Sequence, residues 1–210
     1  MGSCRLGPAF EGSQKESPIY LLTEELIKAN GSASLLTLDL SNNGLGKLEA
    51  GFIIEALGAK KVMSKIKVLD LGENPNFFSD TKTVSEFCKA LTEDKGVGND
   101  FELMELGLAH TGVGKNNSKI LSAIVKMPTL KKLDLSKNKL IKGATSWLEK
   151  LKTGSRITDL SLSQCGLSWK FCLNDVSGLI EAQNNKGNAC IKVIDGERVR
   201  GAKRRGDCSI

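Results

Sequence analysis

The sequence predicts an α/β solenoid: a curved parallel sheet on the concave face, helices on the convex face, about five repeats and a cap at each end. Three observations predict it. The pattern L-x-x-L-x-L-x-x-N-x-L is complete at Leu35, Leu38, Leu40, Asn43 and Leu45, and again at Leu130, Leu133, Leu135, Asn138 and Leu140. Three more copies keep its spacing: Ile66, Leu69, Leu71 and Asn74; Leu103, Leu106, Leu108, Thr111 and Val113; Ile157, Leu160, Leu162, Cys165 and Leu167. From Leu38 to Leu69, Leu106, Leu133 and Leu160 the steps are 31, 37, 27 and 27 residues, which leaves room for a helix between strands.

Each copy reads as a short strand. Its second and third leucines alternate with polar residues, so one face is buried. The asparagine follows where the chain turns, and its amide can satisfy backbone groups that the turn buries. Asn76 stands in place of the last leucine of the second copy, and Cys165 in place of the asparagine of the fifth. No single copy can bury its own apolar face, so the copies must stack.

Residues 1–16 carry Gly2, Gly7, Pro8 and Gly12 without an apolar period and read as a flexible leader. Leu6 stands where an acylation pattern beginning at Gly2 wants Ser or Thr. Residues 17–195 form the repeat domain. Ser17-Pro18 opens its first helix as a serine cap followed by proline, with Ile19, Leu22 and Leu26 on one face. Such a helix would cover the end of the first repeat. Apolar residues at helical spacing predict further helices over 48–59, 83–92, 118–126, 144–152 and about 173–184. Ile191, Val193 and Ile194 read as a last strand. Two inserts, 75–79 and 94–100, lengthen the interval between the second and third copies. Phe77 and Phe78 are adjacent there, so both are hard to bury on one face, and an exposed one would be a loop contact for a partner. Residues 196–210 read as a basic, disordered tail with Arg198, Arg200, Lys203, Arg204 and Arg205, partly offset by Glu197 and Asp207.

With 40% hydrophobic and 26% charged residues the composition is that of an ordinary globular chain. No apolar run approaches the roughly 18 residues of a membrane span, and residues 1–15 lack the apolar core of a secretory signal. Cys4, Cys88, Cys165, Cys172, Cys190 and Cys208 have no framework spacing and read as reduced thiols of a cytoplasmic protein. The net charge of +6 is unevenly distributed because of the tail, so it says little about what the repeats bind.

Catalytic chemistry is not legible. His110, the one histidine, falls at the turn of the third copy, with no cysteine or acid at a recognisable spacing, and reads as a solvated loop residue. Gly112-Val113-Gly114-Lys115 lacks the spacing of a phosphate loop, and Val113 already serves the repeat. No metal site and no cofactor are expected. What the repeats define is a surface, because the non-leucine strand positions point away from the core. One outward column runs Thr37, Val68, Glu105, Lys132, Asp159; the next runs Asp39, Asp70, Gly107, Asp134, Ser161. A third, Ser41, Gly72, Ala109, Ser136, Ser163, is small throughout and would let a partner approach. Adjacent strands lie about 4.8 Å apart, so Asp39 and Asp70 should be near neighbours and disfavour each other unless a cation relieves them.

The five copies resemble leucine-rich repeats, and their length resembles the ribonuclease-inhibitor type, each a strand, a turn and a helix. Leu69-Asp70-Leu71-Gly72-Glu73-Asn74-Pro75-Asn76-Phe77, followed by a long repeat and Leu103-Met104-Glu105-Leu106-Gly107-Leu108, is similar to the repeat domain of the CARMIL family of actin-capping-protein regulators. That family's many more repeats, its flanking domains and its capping-protein-binding segment do not occur within these 210 residues. The resemblance implies a non-catalytic scaffold that binds a protein partner on the concave face, with a cytoskeletal role. The repeat type also resembles Ran GTPase-activating proteins, which would imply a small-GTPase regulator. Arg156 is the one arginine within the repeats, which gives no basis for an arginine finger. A third reading is nucleic-acid or anionic-membrane binding through the basic tail.

Overall fold

The computed structural model describes residues 6–7, 13–29, 35–59, 65–92, 102–140, 151, 156–167, 174, 178, 181 and 192–194. Six strands form one parallel sheet in chain order: β1 (Thr37–Asp39), β2 (Val68–Asp70), β3 (Glu105–Gly107), β4 (Lys132–Asp134), β5 (Asp159–Ser161) and β6 (Lys192–Ile194). The register pairs Leu38 with Leu69, Leu69 with Leu106, Leu106 with Leu133 and Leu133 with Leu160, as the aligned leucines require. A one-residue slip would turn every buried leucine outward, which is why the pattern determines the pairing. β6 pairs with β5 where the last strand is expected.

The helices α1 (Pro18–Lys28), α2 (Lys47–Gly58), α3 (Thr81–Thr92) and α4 (Asn117–Ile124) make the other layer. α1 packs on α2, α2 on α3 and α3 on α4. Ser17 Oγ accepts the Tyr20 N–H at 3.0 Å and Pro18 opens α1, the predicted cap. Asp80 caps α3 by accepting the Thr83 N–H at 2.7 Å, and it also pairs with Lys47 at 2.6 Å. Those partners hold its carboxyl below the usual carboxylate range. One core runs between the layers, with Leu40, Leu45, Leu69, Leu71, Leu103, Leu108, Leu130, Leu135 and Leu162 fully buried.

The turns after β1 to β5 repeat one geometry. Asn42, Glu73, His110, Lys137 and Gln164 all sit at positive φ, between 50° and 59°. Their neighbours at the next position are the asparagine column. Asn74 Oδ1 accepts the N–H groups of Asn43 and Leu45, while Nδ2 donates to the carbonyls of Leu40, Leu71 and Gly72. Asn138 makes the same five bonds one repeat pair later, to Thr111, Val113, Leu108, Leu135 and Ser136. The Cys165 thiol, in the asparagine position, donates to the Leu135 carbonyl at 3.2 Å.

Two expectations are corrected. Phe77 and Phe78 are both buried, at 0% and 2% exposure, so neither is a loop contact. The objection to burying adjacent residues holds for a strand, whose side chains alternate, but residues 75–78 form a turn. Phe78 meets Phe87 edge-on at 5.1 Å and Phe77 at 4.9 Å. Asn76, in the place of the missing leucine, is exposed, and the phenylalanines supply the apolar volume of that repeat. The leader is also not wholly detached. Leu6 packs on the core and the Gly7 N–H donates to the Asn43 carbonyl at 2.9 Å. A Cβ on Gly7 would lie 2.1 Å from the Gly44 carbonyl oxygen, so this approach requires glycine. The rest of the leader apart from 13–16, the insert at 94–100, most of the helices expected over 144–152 and 173–184, and the basic residues Arg198, Arg200, Lys203, Arg204 and Arg205 lie outside the described residues.

Candidate functional site

The outward strand positions assemble on one face, as expected. Asp39 pairs with Asp70, Asp70 with Gly107 and Gly107 with Asp134 across adjacent strands. Each aspartate first serves its own strand end. Asp39 Oδ1 accepts the Ser41 N–H at 2.9 Å, Asp70 Oδ1 the Gly72 N–H at 2.8 Å and Asp134 Oδ1 the Ser136 N–H at 2.8 Å. The small residues two places on are therefore partners of the aspartates, and Ser41 adds a hydroxyl bond at 2.7 Å. Ser136 and Ser161 share a hydrogen bond of 2.6 Å.

Asp70 is the centre of this floor. A Cβ on Gly107 would lie 2.3 Å from Asp70 Oδ1, so the carboxylate occupies the space that glycine leaves open in the next strand. Burial there raises the Asp70 pKa; the Gly72 N–H opposes the shift, and the charges of Asp39, Asp134 and Glu73 add to it. Asp39 goes the other way, lowered chiefly by the Ser41 hydroxyl and backbone. The like-charge neighbourhood expected from the sequence is therefore felt at Asp70.

The flanking column is self-paired in part. Lys132 Nζ meets Glu105 Oε1 at 2.8 Å. That partner raises the lysine's pKa, with a smaller contribution from Asp159. Thr37 is exposed, and Val68 and Asp159 are half-buried. Thr158 Oγ1 donates to Asp159 Oδ2 at 3.1 Å.

At the rim, sequence reasoning missed a cluster. His110 Nδ1 lies 3.0 Å from Glu73 Oε2, and Lys137 Nζ lies 2.6 Å from Glu73 Oε1. Lys137 and then His110 lower the Glu73 pKa. His110 has an acidic partner after all, 37 residues away. The signal was available in the repeat alignment, which places 73, 110 and 137 in one column of positive-φ turns. Gly112 and Gly114 are close-packing positions: a Cβ on either would lie 2.7–2.8 Å from the carbonyl oxygens of Pro75 and Lys139. Those approaches to the neighbouring turns account for both glycines without a phosphate cradle.

Among the described residues no group of three or more metal-ligating side chains occurs, and no helix is long and apolar enough to cross a membrane. Family models described as leucine-rich repeat match residues 34–58 and 126–144. A solved structure titled "Leiomodin-1 Actin-Binding Site 2 (ABS2)" superposes with a TM-score of 0.58, covering 81% of this chain and 92% of that chain at 16% identity. At that identity the likeness concerns the fold. Comparison with curated proteins found no match.

Proposed function

We propose that this leucine-rich-repeat chain is a non-catalytic scaffold whose concave face holds a basic segment of a protein partner. Asp39, Asp70 and Asp134 form the acidic floor, and Thr37, Val68, Glu105, Lys132 and Asp159 line its flank. The observation that carries this reading is the setting of Asp70. Its carboxylate lies over Gly107, where burial first and then the charges of Asp39, Asp134 and Glu73 disfavour its ionised form, a cost that a partner's lysine or arginine would relieve. The repeat length supports the ribonuclease-inhibitor type, since α2 and α3 are each 12 residues long. The likeness to a structure described as an actin-binding site supports a cytoskeletal partner, and the free thiol Cys88 supports a cytoplasmic location.

The test is binding of a lysine- and arginine-rich peptide to the full chain carrying Asp39→Asn, Asp70→Asn and Asp134→Asn. Asparagine keeps the Oδ1 acceptor for the Ser41, Gly72 and Ser136 amides, so the strands keep their ends. Affinity should fall by about 1–3 kcal/mol and lose salt dependence. Glu25→Gln and Glu55→Gln, on exposed helix positions, should change it little. Equal losses from the floor and helix variants would refute the reading.

A further inference from the structure

The outer face of the sheet has no covering element among the described residues, yet its charge matches one segment of this chain. β6 ends at Ile194 on the sheet's last edge, two strands from the Asp134 end of the acidic floor. Within eleven residues of that point stand Arg198, Arg200, Lys203, Arg204 and Arg205, against Asp195 and Glu197. We propose that this tail, residues 196–207, lies across the concave face as an intramolecular occupant of the Asp39–Asp70–Asp134 floor and must be displaced by a partner. The proposal rests on the reading of that floor as a site for basic segments.

Reach permits it. Four strand spacings of about 4.8 Å separate β6 from β2, roughly 19 Å, whereas ten extended residues from Ile194 to Arg204 span up to about 33 Å. The chain therefore has length to spare for Asp70, and Asp134 is only two strands away. Charge order also fits. Arg198 and Arg200 come first, within range of Asp159 on β5 and Asp134 on β4, and Lys203, Arg204 and Arg205 follow towards Asp70 and Glu73. Lys132 is already engaged by Glu105 and so repels an arriving cation less than a free lysine would. A tethered segment acts at an effective concentration of about millimolar, enough to hold a weak, salt-sensitive contact.

The experiment uses the full chain with and without Arg198→Glu, Arg200→Glu, Arg204→Glu and Arg205→Glu, which leaves Lys203 as a reporter. Zero-length carbodiimide coupling, read by peptide mass spectrometry, should join Lys203 to Asp39, Asp70, Asp134 or Glu73 within one chain. The links should vanish in the reversed-charge variant and at high salt. Couplings scattered over helix carboxylates such as Glu25 and Glu55, or formed between chains, overturn the proposal. A synthetic peptide of residues 196–207 then separates two failures. Binding about tenfold tighter to the reversed-charge variant than to the wild type supports a self-occupied floor. Equal binding to both leaves the floor reading standing and removes the tail from it. Binding to neither removes both. RNA or anionic vesicles held equally by the wild type and by the Asp39→Asn, Asp70→Asn, Asp134→Asn chain would show the tail free and also overturn the proposal.

Discussion

Replacing Asn74 with alanine tests how the repeats are joined. The side chain is fully buried, and its carbonyl oxygen is the acceptor for the Asn43 and Leu45 amides, at 3.1 and 2.9 Å. Its amide donates to three carbonyls, of which Gly72 keeps a second donor in the Asn42 N–H. Truncation therefore removes the side-chain acceptor of two buried N–H groups, at a cost of about 1–3 kcal/mol for each that is left dry. Water entering the vacated space would relieve part of that, giving a net loss of about 2–4 kcal/mol. Asn138→Ala should cost the same, since it makes the same set of bonds. Thr111→Val is the control. Its hydroxyl makes one bond, to the Leu108 carbonyl, which also accepts from Asn138, so the loss should be about 1 kcal/mol or less. Urea unfolding followed by circular dichroism measures all three. A loss below about 1 kcal/mol for Asn74→Ala, or equal losses for Asn74→Ala and Thr111→Val, would refute the reasoning.

Two further outcomes follow from the floor. Asp70 has a raised pKa, so between the ordinary carboxylate value and its folded value the native chain binds more protons than the unfolded one; its contribution to stability therefore falls as pH rises. Asp70→Asn removes that contribution, and its urea midpoint relative to wild type should rise from acidic to neutral pH; a relative fall would contradict the assignment. Gly107→Ala should destabilise by about 1–3 kcal/mol, because its methyl meets the Asp70 carboxylate, and that cost should largely disappear in an Asp70→Ala background when both are compared by urea unfolding.

The legible part of this molecule was what repeats. Leucine alternation determined the strand register through Leu38, Leu69, Leu106, Leu133 and Leu160, because a slip would expose every one of them. The asparagine position was legible for the same reason: a buried turn must find partners for its backbone. Less legible was whatever depended on chain direction outside the strands. Phe77 and Phe78 read as exposed only under strand geometry, and the chain turns there and buries both. Leu6 and Gly7 carry no period, and the glycine's fit against Gly44 depends on a close approach that composition does not encode. At the site, the columns placed the aspartates correctly, but their bonds to Ser41, Gly72 and Ser136 needed atomic distances. The Glu73–His110–Lys137 rim was hidden by sequence separation and would have emerged from reading the turn positions as a column too.

The amides of Ser41, Gly72 and Ser136 offer a direct test of the acidic floor, because each donates to a floor carboxylate. Titrating a lysine- and arginine-rich peptide into the isotopically labelled full chain and following amide chemical shifts would read them individually. The account predicts that these three amides and that of Gly107 shift together, with the salt dependence of a charged contact. Shifts confined to α2 and α3, with Ser41, Gly72 and Ser136 unmoved at saturation, would contradict it.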